Sequence, residues 1–574
     1  MNEAKTRKID FSNKRFAKIA DEFYNNGDYI SALRFTKKQY ETYGEDCDVL
    51  ARFSDIYEAM GLQSSAVNSW FRFLHIAEEE DLPDIYEGLA ANLLNMGYEG
   101  ESAYYYNLLV DADESLPADI KLEIADAFES QKPKNIRFVY PPRLADYSKE
   151  LSIGSKALKN GDCRRAVSEL SKIEKGAKEY VSAQEMQAVA HLLMGDAGRA
   201  EEVCLALLKD HPHDVRAKAT LAAVYLEQGR KDESRALAQS LYKEDLQDTD
   251  DVYKVATVCC ENEMHEEAYT LFCKLEKQIP YDGRMLYFKG VAAYKCGKLD
   301  EAEKTLDTLC TIYPDAEVAR YYLLAIRNYR EGTGAKPELI YFYHLPQEVR
   351  EERCKTLLHV SQCPKDEAMI YGLLLLHDRY FEWCFDEMDG ADHDLQYLAL
   401  ITANQVRADE FIQQTLLNNE VADILKIESL RMFYERNEDR ELGMVFCRIY
   451  KKIRLLRIKI GRKRRKRFLQ AYAKLASKFV MIRESYGKKL RDAAERLYRA
   501  LEKYDALDLI DNVDDCACAI FLASGLKELG GNAEEIVRVF DANLDRVRVL
   551  LTVMASEESG LDKNGNIEKK NEEN

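Results

Sequence analysis

Along most of the 574-residue chain, apolar residues recur three and four positions apart with short polar turns between them, the spacing of one buried helix face. Over "RMLYFKGVAAYKCGKLDEAEKTLDTLCTIYPD", residues 284 to 315, the order is finer: a small Gly290, then Gly297, Ala302, Leu306, Leu309 and Pro314. Thirty-four residues earlier the same skeleton returns. The small site reads Gly154, Ala188, Ala222, Ala256 and Gly290, and the turn site Gly161, Gly195, Gly229, Glu263 and Gly297. Ala166, Ala200, Ser234, Ala268 and Ala302 follow, then Ile173, Leu207, Leu241, Leu275 and Leu309. No gap is needed from Tyr147 to Ala316, which makes five repeats: 147–180, 181–214, 215–248, 249–282 and 283–316.

Two closely packed helices explain the skeleton. A small residue on the first helix faces a small one on the second, so the backbones can approach. The glycine between them ends the first helix in a left-handed conformation. Pro212, Pro280 and Pro314 stop the second helix, which proline cannot continue. One such hairpin cannot bury its own apolar face, whereas a stack can. The pattern resembles the tetratricopeptide repeat family, whose units have this length and a W-x2-L-G-x2-Y…A-x3-F…P skeleton. It departs from that skeleton at the Trp position, which here holds Glu150, Gln184, Lys218, Val252 and Leu286. The resemblance implies an all-α, right-handed superhelical solenoid of antiparallel helix pairs, with repeats degenerating toward the carboxyl terminus.

The same register places an amino-terminal array at 13–130, with repeats 13–46, 47–80 and, after a two-residue insertion, 83–116. Pro133, Pro141 and Pro142 mark 131–146 as a linker ahead of the central array 147–316. Residues 317–346 read as a degenerate helix and loop, and 347–556 as a carboxyl-terminal helical-hairpin domain with a basic segment at 448–483. Within it, Leu430, Phe433, Leu442, Phe446 and Ile449 fall at repeat-like offsets, and 439–460 reads as a helix closed by Gly461. The tail 557–574 has almost no apolar content and is expected to be disordered.

By the family resemblance, first helices line a concave groove through the fifth, ninth and twelfth positions of each repeat. Those are Leu151, Ser155 and Leu158; Glu185, Val189 and Leu192; Ala219, Ala223 and Leu226. The last two repeats add Tyr253, Thr257 and Cys260, then Tyr287, Val291 and Tyr294. An apolar trough with tyrosines at one end suits an extended or helical peptide whose orientation the hydroxyls fix. The ninth positions carry no Asn, so the carboxylate clamp of the family's chaperone-binding members is absent. The implied function is a scaffold or adaptor that binds protein partners.

Formal net charge is −19, which argues against coating by nucleic acid, yet the 42 residues from Leu442 to Arg483 hold 15 Lys or Arg and no acid. The candidate polyanion patch is Lys451, Lys452, Arg454, Arg457, Lys459, Arg462, Lys463, Arg464, Arg465, Lys466 and Arg467. Three readings stand: a solvated helix end balanced by acidic neighbours, phosphate contact in a nucleic-acid-binding regulator, or an anionic lipid or acidic protein partner. A nuclear import signal would look similar.

Fourteen scattered cysteines, none in a CxxC pair, read as reduced thiols. The amino terminus lacks an apolar signal core, and the chain is expected to be cytoplasmic. No phosphate loop, dinucleotide turn or HExxH is present, so neither catalysis nor a cofactor is expected. His377, Cys384, Asp386, Asp389 and His393 fall close together in sequence, but acidic loop residues around a Trp read as plain surface rather than metal ligands.

Overall fold

The computed structural model describes residues 13–558 apart from 114–115, 118–119, 123, 125–146, 176, 178, 390–391, 481–482 and 528–531. The expected linker 131–146 and most of the tail 557–574 lie outside the described residues. The chain divides into two compact bodies. One comprises Met1–Phe128, Glu348–Phe385 and Ala391–Asn574; the other comprises Glu129–Gln347 and Asp386–Gly390. Residues 13–130 and 347–556, read separately from the sequence, thus fall mainly in one body.

In the first body, three helix pairs open the chain: α1 Asn13–Asn25 with α2 Tyr29–Tyr43, α3 Cys47–Ala59 with α4 Gln63–Ile76, and α5 Leu82–Asn95 with α6 Glu99–Ala112. In the second body, each 34-residue repeat holds one pair. These are α7 Ser148–Lys159 with α8 Cys163–Leu170, α9 Tyr180–Leu193 with α10 Ala197–Asp210, and α11 Val215–Glu227 with α12 Lys231–Tyr242. They continue as α13 Thr249–Glu261 with α14 His265–Leu275, and α15 Gly283–Lys295 with α16 Leu299–Ile312. A last first helix, α17 Glu317–Glu331, follows.

The repeat sites act locally as their chemistry requires. A Cβ on Gly154 would lie 2.5 Å from Leu170 Cγ, so only glycine lets α8 approach α7 this closely. Asp214, Asp248 and Asp282 accept hydrogen bonds from the first-turn amides of α11, α13 and α15, each capping a first helix at the same point of its repeat. At the turn site Gly297 has φ +75°, and Glu263, the one non-glycine there, is forced to φ +56°. A left-handed residue with a Cβ costs on the order of 1–2 kcal/mol. Glu263→Gly is therefore expected to raise stability by about 0.5–1 kcal/mol in urea unfolding, after the greater freedom of glycine in the unfolded chain is offset. A loss of stability would show that Glu263 is held by its side chain rather than strained.

The first body continues with α18 Gln347–Gln362, α19 Lys365–His377, α20 Tyr380–Cys384, α21 His393–Gln405, α22 Asp409–Leu417 and α23 Asp423–Arg436. There the sequence reading needs correction. Residues 439–460 are not a helix: β1 Arg440–Phe446 and β2 Ile449–Leu455 form an antiparallel hairpin, with Arg440 opposite Leu455 and Phe446 opposite Ile449. Ile453 and Leu455 point inward while Lys452 and Arg454 point out, a period of two. The same apolar residues also fit a helical spacing, so periodicity alone could not choose.

Tertiary contacts choose. Val445 and Leu417 join the apolar core of the first array, with Leu50, Trp70, Phe71 and Tyr105. Tyr105 donates its hydroxyl to Arg448 O at 3.2 Å and accepts from Tyr450 N at 2.9 Å. The Arg448 guanidinium lies 3.6 Å from the centre of the Tyr98 ring. Buried Lys426 of α23 donates to Val445 O at 2.8 Å, and burial lowers its pKa to about 8. Among the described residues five further α-helices follow: α24 Arg465–Phe479, α25 Glu484–Lys503, α26 Val513–Ser524, α27 Ala533–Val539 and α28 Leu544–Glu558. The fourteen cysteines form no disulfide. No helix among the described residues is long and apolar enough to cross a membrane.

Candidate functional site

The first helices of the central array present the side chains expected to line a groove. Leu151, Ser155, Leu158, Val189, Leu192, Ala223, Leu226, Tyr253 and Thr257 are half-buried, so each leaves part of its surface in solvent. Ala219 and Cys260 are buried. In the fifth repeat the expectation of an open lining fails, because Tyr287, Val291 and Tyr294 are buried. The chain itself lies over Tyr287 and Tyr294.

The covering segment is the stretch read as a loop. After α17, residues 337–345 run with neither helix nor strand, against Tyr287 and Tyr294 of α15, Tyr322 of α17 and, through Tyr341, Cys260 of α13. Its main chain is gripped by tyrosine hydroxyls. Tyr294 donates to Pro337 O at 2.7 Å, and Tyr322 to His344 O at 3.1 Å. The Tyr287 hydroxyl lies 3.2 Å from Ile340 O and 3.3 Å from Phe342 O. Its side chains divide by direction: Leu339, Tyr343 and Leu345 are buried, while Ile340 and Phe342 are 39% and 59% exposed. The Tyr343 ring meets that of Tyr287 edge-on at 4.8 Å, and Tyr341 reaches His265 at 3.1 Å. Residues 337–345 are called the strap below.

A short return of the chain clasps the strap from its other end. Asp386 Oδ2 accepts from the Tyr343 hydroxyl at 2.9 Å and from Val318 N at 3.2 Å, and Asp389 pairs with His344. Burial pushes the Asp386 carboxyl up to about 7 against the pull of these hydrogen bonds, and the neighbouring Asp389 adds to the rise. A carboxyl raised in the folded state stabilises fully below its unfolded value near 3.8, and loses that contribution as pH climbs through about 7. Strap protection from hydrogen exchange, corrected for intrinsic rates, should therefore fall between about pH 4 and 7. The difference is up to about 4 kcal/mol at the limit of three pK units. Asp386→Asn is expected to flatten this fall; an unchanged profile would assign the pH dependence elsewhere.

Asp386 and Asp389 thus serve the strap. Of their sequence neighbours, Cys384 is buried with its thiol 3.2 Å from Tyr380 O, while His377 and His393 are exposed. A different group comes within metal-ligand distance: His359 Nε2 lies 3.5 Å from Cys363 Sγ, with the Glu367 carboxylate beside both. The H-x3-C-x3-E spacing, which crosses from α18 to α19 at Pro364, is the sequence signal for it.

The basic run divides between the hairpin and the entry to α24. Lys463 lies 3.6 Å from Asp508, Arg464 reaches the same carboxylate at 3.3 Å, and Arg467 donates to Asp511 O at 2.9 Å. Arg465 turns back to Ile460 O at 2.9 Å. Lys452 faces Glu441 across the hairpin at 3.4 Å. Lys451 is half-buried, and Arg454, Arg457, Lys459, Arg462 and Lys466 are exposed.

No curated protein matches the chain in sequence. Among solved structures, a tetratricopeptide repeat protein from Parabacteroides merdae is 16% identical over 46% of this chain and 92% of its own, with a TM-score of 0.22. Yeast Tom70 is 14% identical over 96% and 98%, with a TM-score of 0.20. The Cut9–Hcn1 hetero-tetramer of the APC/C is 12% identical over 95% and 96%, with a TM-score of 0.26. The tetratricopeptide repeat family profile matches residues 191–257, from the end of α9 through most of α13. Within that match the chain carries tetratricopeptide repeats, and its helix pairs recur at the same period on either side.

Proposed function

We propose that this protein is a cytoplasmic interaction scaffold or adaptor, and that the first-helix face of repeats 147–248 captures an extended peptide from a protein partner. One observation carries the reading: the same face, two repeats further on, already holds a segment that is neither helix nor strand by its main chain. Leu151, Leu158, Val189, Leu192, Ala223 and Leu226 offer partly exposed apolar surface to such a ligand. Polarity comes from Glu185, which burial pushes up to about 7 with Asp214 adding to the rise. Arg216 is already held by Asp251 at 3.0 Å, so a lysine or arginine of the partner finds carboxylates with charge to spare.

The alternative, phosphate binding by residues 451–467, is the weaker reading because Lys463 and Arg464 already face the Asp508 carboxylate and Arg467 is bonded to the Asp511 main-chain carbonyl. One experiment separates the two. Partners captured by the full-length chain from its native cell are identified and remeasured against Leu158→Glu with Leu226→Glu, and against Arg462→Ser with Lys466→Ser. Affinity falling on the order of tenfold or more with the first pair supports the groove. Complete retention there, with salt-steep loss in the second pair, would replace it with the polyanion reading. A basic partner should also bind more tightly as pH rises through about 7, an increase that Glu185→Gln removes.

A further inference from the structure

We propose that the first-helix face of the fourth and fifth repeats is a docking surface whose built-in occupant, residues 337–345, exchanges for an extended segment of a protein partner carrying aliphatic or aromatic side chains at alternate positions. The inference rests on the groove reading above and names the chemistry of the partner at its carboxyl-terminal end.

Three features of the strap carry it. The hydroxyls of Tyr287, Tyr294 and Tyr322 read carbonyl oxygens, which every peptide offers, so this part of the grip does not depend on the strap's own side chains, unlike the bonds of Tyr343 to Asp386 and His344 to Asp389. Selectivity falls to the inward side chains Leu339, Tyr343 and Leu345, a pattern of spaced apolar and aromatic groups that another segment can supply. Nothing in the strap is woven into helix or sheet. Residues 331–336 before it are all exposed and include Gly332 and Gly334, so it can lift without unwinding most of α17. Each hydroxyl bond contributes only about 1 kcal/mol. Tethering adds an effective concentration on the order of millimolar, which holds off a free segment until the strap is loosened or outcompeted.

The test uses a fluorescent peptide of residues 335–346 and the full-length chain. Leu339→Ser with Tyr343→Ser empties two of the three inward pockets of the tethered strap. The emptied chain is expected to bind the peptide about tenfold or more tightly than wild type. Adding Tyr287→Phe and Tyr294→Phe should cancel that gain. In wild type, saturating peptide should strip hydrogen-exchange protection from 337–345 while helices α7 to α12 keep theirs. Peptide binding that leaves strap protection intact, or that ignores the tyrosines, overturns the proposal, as does an emptied chain that retains its helices yet binds no better than wild type. A partner lost on Leu158→Glu with Leu226→Glu, but captured equally with and without the strap emptied, sinks this inference and leaves the proposed function standing.

Discussion

Replacing Tyr287 with alanine is expected to release residues 337–345 from the central array, raising their hydrogen-exchange rates about a hundredfold to a thousandfold. The ring is fully buried, stacked edge-on against Tyr343 and close to Tyr322, and its hydroxyl sits between two strap carbonyls. Deleting a buried aromatic ring costs about 3–5 kcal/mol. The two strap carbonyls beside it also lose the single hydroxyl proton they share at the moment the packing surface goes. Tyr287→Phe separates the two contributions: it keeps the ring and removes only the hydroxyl, so the strap should loosen about tenfold. If Tyr287→Ala left the strap protected, or unprotected the whole array equally, the tyrosine grip would not be what holds it.

Tyr105→Ala should have a comparable effect in the other body, freeing the β1–β2 hairpin at a cost of about 3–5 kcal/mol. Tyr105 is 1% exposed, and its hydroxyl bridges Arg448 O and Tyr450 N at the hairpin's tip. That tip is unusual in needing help. Cys447 and Arg448 occupy left-handed conformations, φ 48° and 61°, where the favoured two-residue turn would place Asn-Gly. Each costs on the order of 1–2 kcal/mol, so the turn persists only while tertiary contacts hold it. Cys447 N donates to Asp423, and the Arg448 side chain lies on Tyr98. Amide exchange over 440–455 measures the release, and Cys447→Asn with Arg448→Gly should partly restore protection by relieving the turn. A Tyr105→Ala protein whose hairpin stays protected would show that Val445 and Leu417 suffice to dock it.

The two tyrosines mark where sequence reading fails. The helix pairs were legible because their causes are local: apolar residues three and four apart, small residues at fixed offsets, an aspartate before several first helices and a left-handed turn residue after them. Even the exception at Glu263 could be seen as a glycine position lacking glycine. The basic run was visible as a segregation of charge, but its partners Asp505, Asp508 and Asp511 follow some forty residues later and only the fold brings them alongside.

The candidate groove was misread at its carboxyl-terminal end. Local pattern assigns Tyr287, Val291 and Tyr294 to a helix face, but does not say what lies over that face. Tyr287 and Tyr294 are covered by a segment some fifty residues away that has no helical or strand pattern and is held both by hydroxyl-to-carbonyl bonds and by its own side chains. The hairpin failed for the converse reason: its residues fit both periods, its turn lacks the usual residues, and an array more than three hundred residues earlier stabilises it. The repeating helix pairs can be read from the chain alone, since the small, turn and capping residues that mark each pair lie within one 34-residue unit even though the stack stabilises it. The tertiary structure alone decided the strap and the hairpin, because there the stabilising contacts come from distant residues and outweigh a weak local preference.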